Sequence, residues 1–585
     1  RILVYLSMGM DEWRKLKKYL NSATIKQMVE KLLNHKSKTV FSAAFILAIT
    51  ALLSRVLGLI RDRLLAGKFG AGNELDIYFT AFRLPDLVYN ILIMGAVSSA
   101  FIPIFAQYFK KDEKEAWQLT SGIFTWIVLI LIGLSIILIV FAPQVISLIA
   151  PGFSGIKKQS TVELTRIMFL SPLLLGVSSI LSGVLQYFRR FLVYSLAPIM
   201  YNLGIILGIL FFVPKMGLVG LAWGVVLGAF LHFIIQLPSA IYSGMKFNKF
   251  LGFHQGIKKM LQLTIPRTIG LAGTQINALV ITSIASSLTI GSVAIFNLSN
   301  NLQYVPIGII AISFSVAVFP RLAELSAEEN KEKFSNDFFM AFNQILYLVL
   351  PITTMFFVLR AQIIRLILGT GQFNWVDTRL TAAALGVFAI SIFAQSLIPL
   401  VSRAFYSLQD TKTPVSISLI GVGLNILMSF GFVWILNRVN IFSEIFSTIF
   451  KLNGIKSIAI LGLPLAFSVS SIFNFMVLMR FFNKKIKKYN TGKVFKSVFK
   501  IVISCIPMAF VIYGLLRVFN LIFDTTTFIG LLFQTGLSAV TGIGVYFLVS
   551  MIFKLPESMV LAKKFLFKNK KDKLEEVQSV NQLDE

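Results

Sequence analysis

The sequence predicts an all-α polytopic membrane protein of about fourteen transmembrane helices, arranged as two pseudo-symmetric six-helix lobes followed by two C-terminal helices. Three observations predict it. Of 585 residues, 56% are hydrophobic and only 14% are charged, whereas soluble domains run at roughly 45–50% apolar and about a quarter charged. Apolar runs of about 20 residues, long enough to cross a bilayer, recur along the chain. A segment of the first half also returns in the second half at a fixed offset.

The spans follow in order. The first six centre near Leu52, Ile91, Val128, Leu174, Ile205 and Val225. The next six centre near Ile276, Ile309, Leu348, Phe388, Val422 and Leu465, and two more near Pro507 and Ala539. Pro and Gly interrupt several of them, which membrane helices tolerate better than soluble ones. Residues 1–39, with "DEWRKLKKYL", read as a basic N-terminal tail with a short amphipathic surface helix and not as a cleaved signal peptide. Residues 40–246 are expected to form the first lobe and 247–484 the second. Residues 485–556 hold the last two spans, and 557–585 read as a basic, disordered tail.

The connections that face the cytoplasm when the N-terminus is inside carry about 21 Lys and Arg, against about 14 in the others. With both tails basic, this favours N-in and C-in. The net charge of +29 then reflects that bias and attraction to anionic membrane lipids, not nucleic-acid binding. The single cysteine, Cys505, excludes an intrachain disulfide framework. His35, His232 and His254 have no metal-ligand spacing.

The repeat is "SSAFIPIFAQYFKKDEKEAW" from Ser98 and "SVAVFPRLAELSAEENKEKF" from Ser315, aligned without gaps at an offset of 217. Pro103 meets Pro320, and Lys114-Glu115 meet Lys331-Glu332. Six spans lie between equivalent points, so both copies cross in the same direction. Parallel repeats about an axis along the membrane normal belong to one class of transporter.

Helical spacing gathers the polar residues into stripes. Arg55 and Asp62 are seven apart, with Arg61 about 100° from Asp62. Asp76, Arg83 and Asn90 are spaced by seven, with Asp86 on the same side. Arg267, Gly270, Thr274 and Asn277 form a third stripe, and Asn297, Asn300, Asn301 and Tyr304 a fourth. Arg55, Arg83 and Arg267 facing lipid would together cost ~8–10 kcal/mol. They are therefore expected to face a wet cationic cavity between the lobes, with Asp62, Asp76 and Asp86 as gate or counter-ions. Snorkelling at the helix end by Arg61 and Arg63, and interhelical hydrogen bonding by the asparagines, are the structural alternatives.

A surplus of arginine suits an anionic substrate, because the guanidinium fork matches phosphate oxygens. No nucleophile–base pair or metal cluster indicates an enzyme. No Walker-type loop indicates an ATP engine, and no other cofactor is expected. Transport would draw on a coupling monovalent cation, the membrane potential or the substrate gradient.

"SRVLGLIRDRLLAGKFGAG", "DIYFTAFRLPDLVYNILIMGAVSSAFIPIFAQY", "RTIGLAGTQIN", "NNLQYVPIGI" and "RAFYSLQDTKTP" resemble the MurJ (MviN) family over nearly all fourteen helices. The resemblance implies a lipid II flippase of the multidrug/oligosaccharidyl-lipid/polysaccharide exporter superfamily in the bacterial inner membrane, active in peptidoglycan synthesis. Its substrate would be undecaprenyl-diphosphate-linked precursor, and its last two helices would form a groove for the lipid tail. The chain is expected to act as a monomer. Arg55, Arg61, Asp62, Asp76, Arg83 and Pro85 match the family's functional positions. Two places depart: Tyr89-Asn90 stand where well-studied relatives have Arg-Arg, and Asn300-Asn301 where they have Asp-Arg. Arg267 is the candidate to supply the missing charge. A flippase for another polyprenyl-linked oligosaccharide, a multidrug exporter of the same superfamily, and a polyprenyl-phosphate enzyme or scaffold are the other readings.

Overall fold

The computed structural model describes residues 40–94, 100–245, 254–486 and 491–566. The amphipathic segment before Thr39 and the tail beyond Leu566 lie outside the described residues. Every described element is helical. Among the described residues, ten helices are long and apolar enough to cross a membrane. An eleventh span comes from Trp375–Ala389 and Ile392–Ser407, joined at a 44° bend. The other three expected centres fall on Val40–Phe69, on Asn90–Met94, and on Gln255–Ser286. Large apolar side chains such as Leu427, Phe510 and Leu521 stand exposed along the spans, where a soluble protein would bury them and a bilayer would cover them.

Caps in the sequence set several helix starts. Asp112 accepts from Lys114 N at 2.8 Å and opens Glu113–Val140. Asn330 accepts from Lys333 N at 3.1 Å and opens Lys331–Val358. Asn374 and Asp377 form a reciprocal capping box at the start of Trp375–Ala389. Each satisfies backbone donors that a helix N-terminus leaves unpaired. One expectation needs correcting: residues 557–566 are not a disordered tail but part of the helix Pro556–Leu566. Proline suits the first helical position, and the buried Ser558 hydroxyl donates to Leu555 O and Ser550 O.

The chain divides into two compact units. The first gathers residues up to Leu64, Ile77–Ile149 and Phe153–Ile276. Within it, Phe191–Leu207 with its extension and Leu218–Ile234 pack through facing glycines. A Cβ on Gly204 would lie 2.3 Å from Gly228 Cα, and one on Gly208 2.3 Å from Gly224 Cα. Two small-xxx-small pairs thus meet backbone to backbone, a favoured contact in lipid. An aromatic cluster of Phe105, Phe109, Trp117, Tyr187 and Phe188 closes one end of this unit.

The second unit gathers Leu65–Asp76, Ala150–Gly152 and everything from Asn277. Hydrogen bonds explain why the 65–76 segment belongs here. Gln372 N donates to Gly67 O at 2.9 Å, and Ala71 N donates to Asp377 Oδ2 at 3.1 Å. Trp375–Ala389 is buried on nearly all sides from Asp377 onward, as befits the centre of a bundle. Phe338 and Phe405 pack tilted and edge-on against Phe482 in the core of this unit, with ring centroids 4.2 and 5.6 Å apart. The last two spans, Thr491–Ile522 and Phe528–Ile552, are fastened to this unit. Gln534 donates to Leu516 O, Tyr546 to Tyr347 O, and the Tyr347 and Ser550 hydroxyls lie 2.9 Å apart.

The repeat seen in the sequence returns as geometry. Single π-helical turns occupy Asn90–Met94 and Ile307–Ala311, 217 residues apart. After them come two helices of 28 residues, Glu113–Val140 and Lys331–Val358. Two helices of 8 residues follow, Ala142–Ile149 and Arg360–Ile367.

Candidate functional site

The charged residues of the first unit converge around Arg61. Its guanidinium donates to Asp62 Oδ1 through Nε at 3.0 Å and Nη2 at 2.8 Å. Nη1 donates to Asn202 Oδ1 at 3.1 Å. The Asn202 amide in turn donates to Ser54 O, Ser54 Oγ and Pro198 O. Asp62 is buried, with 4% of its surface exposed. Asp86 lies within electrostatic reach of Arg83 and Arg61, and Tyr78 and Tyr201 border the same charges. Arg61, Asp62, Arg83 and Asp86 therefore form one polar cluster. Arg61 is tied into the bundle instead of reaching for the helix end.

Arg55 differs from these. It sits half-buried in the Val40–Phe69 helix and makes no hydrogen bond or ion pair among the described residues. Arg267 lies in the helix Gln255–Ser286, but its side chain is outside the described residues.

The structure gives the other predicted residues local partners. Asp76 Oδ2 accepts from Gly291 N at 2.8 Å, and Oδ1 accepts from Ala294 N at 3.0 Å. The carboxylate thus caps Ser292–Pro306, and its charge faces the positive end of that helix. Tyr89 stands 3.5 Å from Ser179 Oγ. It lines a small cavity of about 170 Å³ with Ser182, Gln186, Tyr194 and His232. The Asn90 amide donates back to Asp86 O at 2.9 Å, at the start of the π-turn. Asn301 is half-buried on the same helix as Asn300.

Asn300 Oδ1 accepts from Gln303 at 2.8 Å. From there a chain of amides and hydroxyls runs through Gln395, Ser391 and Ser468. At the repeat offset, Arg83 and Asp86 of the first unit correspond to Asn300 and Gln303 of the second. A charged i,i+3 pair in one copy is an amide pair in the other.

Sequence reasoning missed Asn202, the residue that holds Arg61. A lone asparagine in an apolar span is a signal in itself. It also missed Asp377 and the network in which the Ser178 hydroxyl lies 2.7 Å from His232 Nδ1 and from Gln236 Nε2. No three His, Cys, Asp or Glu side chains among the described residues converge as a metal site requires.

The sequence profile of the lipid II flippase MurJ family matches residues 65–534. The chain belongs to the MurJ family. A lipid II flippase MurJ of Burkholderia cenocepacia is 29% identical over 380 residues, 63% of this chain and 73% of the relative. A probable MurJ of Buchnera aphidicola from Acyrthosiphon pisum is 27% identical over 493 residues, 82% of this chain and 91% of the relative. Among solved structures, a lipid II flippase MurJ in an inward closed conformation superposes with a TM-score of 0.71 at 25% identity, covering 87% of this chain and 98% of its own. An inward-facing MATE family transporter of the MOP superfamily shares the fold, with a TM-score of 0.60 at 14% identity, covering 76% and 98%. MurJ membership makes this a multi-pass transporter and not an enzyme.

Proposed function

We propose that this chain flips lipid II from the inner to the outer leaflet of a bacterial cytoplasmic membrane by alternating access, with arginines of the first unit taking the anionic headgroup. The observation that carries the reading is Arg55. A guanidinium in the middle of an apolar helix, with no partner among the described residues, costs about 2.5–3.5 kcal/mol against lipid. An anionic ligand removes that cost, and a diphosphate accepts the planar fork in two parallel bonds. Arg61, held by Asp62 and Asn202, and Arg83 would add charge beside it. Arg267 would contribute from Gln255–Ser286.

In this reading the polyprenyl tail remains in the bilayer, beside the last two helices. The termini face the cytoplasm. Cycling draws on a monovalent cation gradient or the membrane potential and must come from unequal affinity for the two states. Solved MATE relatives of the same fold described as inward-facing and outward-facing support alternation. The departures at Tyr89-Asn90 and Asn300-Asn301 favour a second reading, a flippase for another polyprenyl-linked oligosaccharide. Asn300 spends its oxygen on Gln303, and Asn301, at the place of the relatives' arginine, brings no cation.

Complementation tests the proposal. Depletion of the resident lipid II flippase should be lethal, and expression of this chain should restore growth. Failure by a well-inserted chain would contradict lipid II as substrate and leave the second reading.

A further inference from the structure

Wholly inside the second unit lies a side-open cavity of about 830 Å³. It is walled by the end of Lys331–Val358, by Arg360–Ile367, by the start of Trp375–Ala389 and by one face of Thr491–Ile522. Arg360, Arg365, Arg379 and Lys451 all line it. None of them meets a carboxylate within ion-pair distance among the described residues. Their partners are backbone carbonyls and rings. Arg360 donates to Phe357 O and Ile449 O, and its guanidinium lies over the Phe357 and Phe450 rings. Arg365 donates to Thr525 O, and Arg379 donates to Lys451 O and Asn453 O. The nearby Asp524 carboxylate accepts from the N–H and hydroxyl of Thr526 through Oδ1 and pairs with none of these cations.

Carbonyls orient a guanidinium without neutralising it. Arg365 spends one of its five donors on Thr525, and the others remain for a ligand. A fifth cation, Arg517, stands over the ring of the lining residue Tyr513, 4.8 Å from its centroid. Below the cations the wall is hydrocarbon. Phe499, Val502, Ile506, Phe510 and Tyr513 follow one another at spacings of three and four, and all are exposed. They form a single stripe down Thr491–Ile522, long enough to lie along an acyl chain.

We propose that this pocket is a binding site for a resident anionic phospholipid, its phosphate among Arg360, Arg365 and Arg379 and its acyl chain along the Thr491–Ile522 stripe. Charge complementarity selects the occupant. A cluster of cations that no carboxylate reaches within ion-pair distance among the described residues takes an anion, and the stripe that continues from it takes an acyl chain. All of its lining residues belong to the second unit, and the proposal does not depend on which lipid-linked sugar the chain carries.

The test is native mass spectrometry of the full chain from nanodiscs of phosphatidylglycerol and phosphatidylcholine with identical acyl chains. The wild type should retain phosphatidylglycerol over phosphatidylcholine. With each surface cation worth about fivefold, Arg365→Gln/Arg379→Gln should cut that preference about twenty-five-fold. Ala509→Trp puts a bulky ring into the cavity wall without touching a charge, so it should also weaken retention of the lipid while the protein elutes as a folded monodisperse species. Equal retention of both lipids by the wild type, or an unchanged preference in both variants, would overturn the proposal. Displacement of phosphatidylglycerol by equimolar undecaprenyl diphosphate would overturn it too, by assigning the pocket to the transported lipid.

Discussion

Arg61 reaches Asn202, 141 residues away in sequence, with Nη1 donating to Oδ1 at 3.1 Å, while Nε and Nη2 close on Asp62 Oδ1. The charge that sequence reasoning placed on an isolated helix stripe is thereby fixed against a second helix. Arg61→Gln removes the two donors that close on Oδ1 of a nearly buried carboxylate, a change that costs about 3–5 kcal/mol where both charges are desolvated. The purified variant should melt at a lower temperature. Arg61→Gln/Asp62→Asn should recover most of that loss, because no charge is then left behind. An equal loss in the double variant would show that the pair acts through packing alone.

Asp76 ties the 65–76 segment to the helix it caps. Gly291, at that cap, has φ +86°, and a Cβ there would lie 1.9 Å from Ala71 O. Gly291→Ala meets both a left-handed backbone and a collision with main chain. It should abolish accumulation in the membrane, read by immunoblot. Asp76→Ala, which removes acceptors for two backbone N–H groups, should cost a milder ~1–2 kcal/mol.

Much of the architecture was legible because lipid imposes a simple rule: apolar runs of span length must be helices. The centres near Val128, Leu348 and Val422 fall inside single continuous helices. The repeat was legible because Lys114-Glu115 and Lys331-Glu332 both fall in the first turn after a capping Asp or Asn. The polar contacts were less so. Asp76, Arg83 and Asn90 share a spacing of seven. Yet Asp76 turns to backbone N–H groups on another helix, and Asn90 turns back on its own. Periodicity reports the face of a helix, not which neighbour that face meets.

The facing glycines make a separate prediction. Gly204 and Gly208 meet Gly228 and Gly224 with no room for a Cβ. Gly204→Leu should force the two helices apart and yield aggregated protein on size-exclusion chromatography. Gly423→Leu, at a glycine with nothing within 4 Å of its Cβ position, should elute like the wild type.

Outside the spans, the Asp410 carboxyl is pushed upward by partial desolvation. The Lys485 ammonium, the Thr413 N–H and the Thr413 hydroxyl outweigh this and hold it down at about 2. A depressed carboxyl contributes stability above its ordinary value near 3.8, and that contribution disappears as pH falls towards 2. Lys485→Ala should lower the melting temperature slightly at pH 7, by an amount equivalent to about 1 kcal/mol or less. The difference from wild type should shrink as the pH is lowered below 4. A constant difference across that range would place the effect in packing.

The central claim is that Arg55 holds the anionic headgroup during flipping. The direct measurement is the amount of lipid II accessible on the outer face of cells depleted of their own flippase and expressing this chain, Arg55→Lys or Arg55→Ala, at matched membrane levels. A charge-assisted hydrogen bond is worth about 1.5–3 kcal/mol, so Arg55→Ala should lower the flipping rate by about tenfold or more. Arg55→Lys, which keeps the charge but loses the fork, should fall between. Wild-type flipping by Arg55→Ala would contradict the account and remove this residue from the transport path.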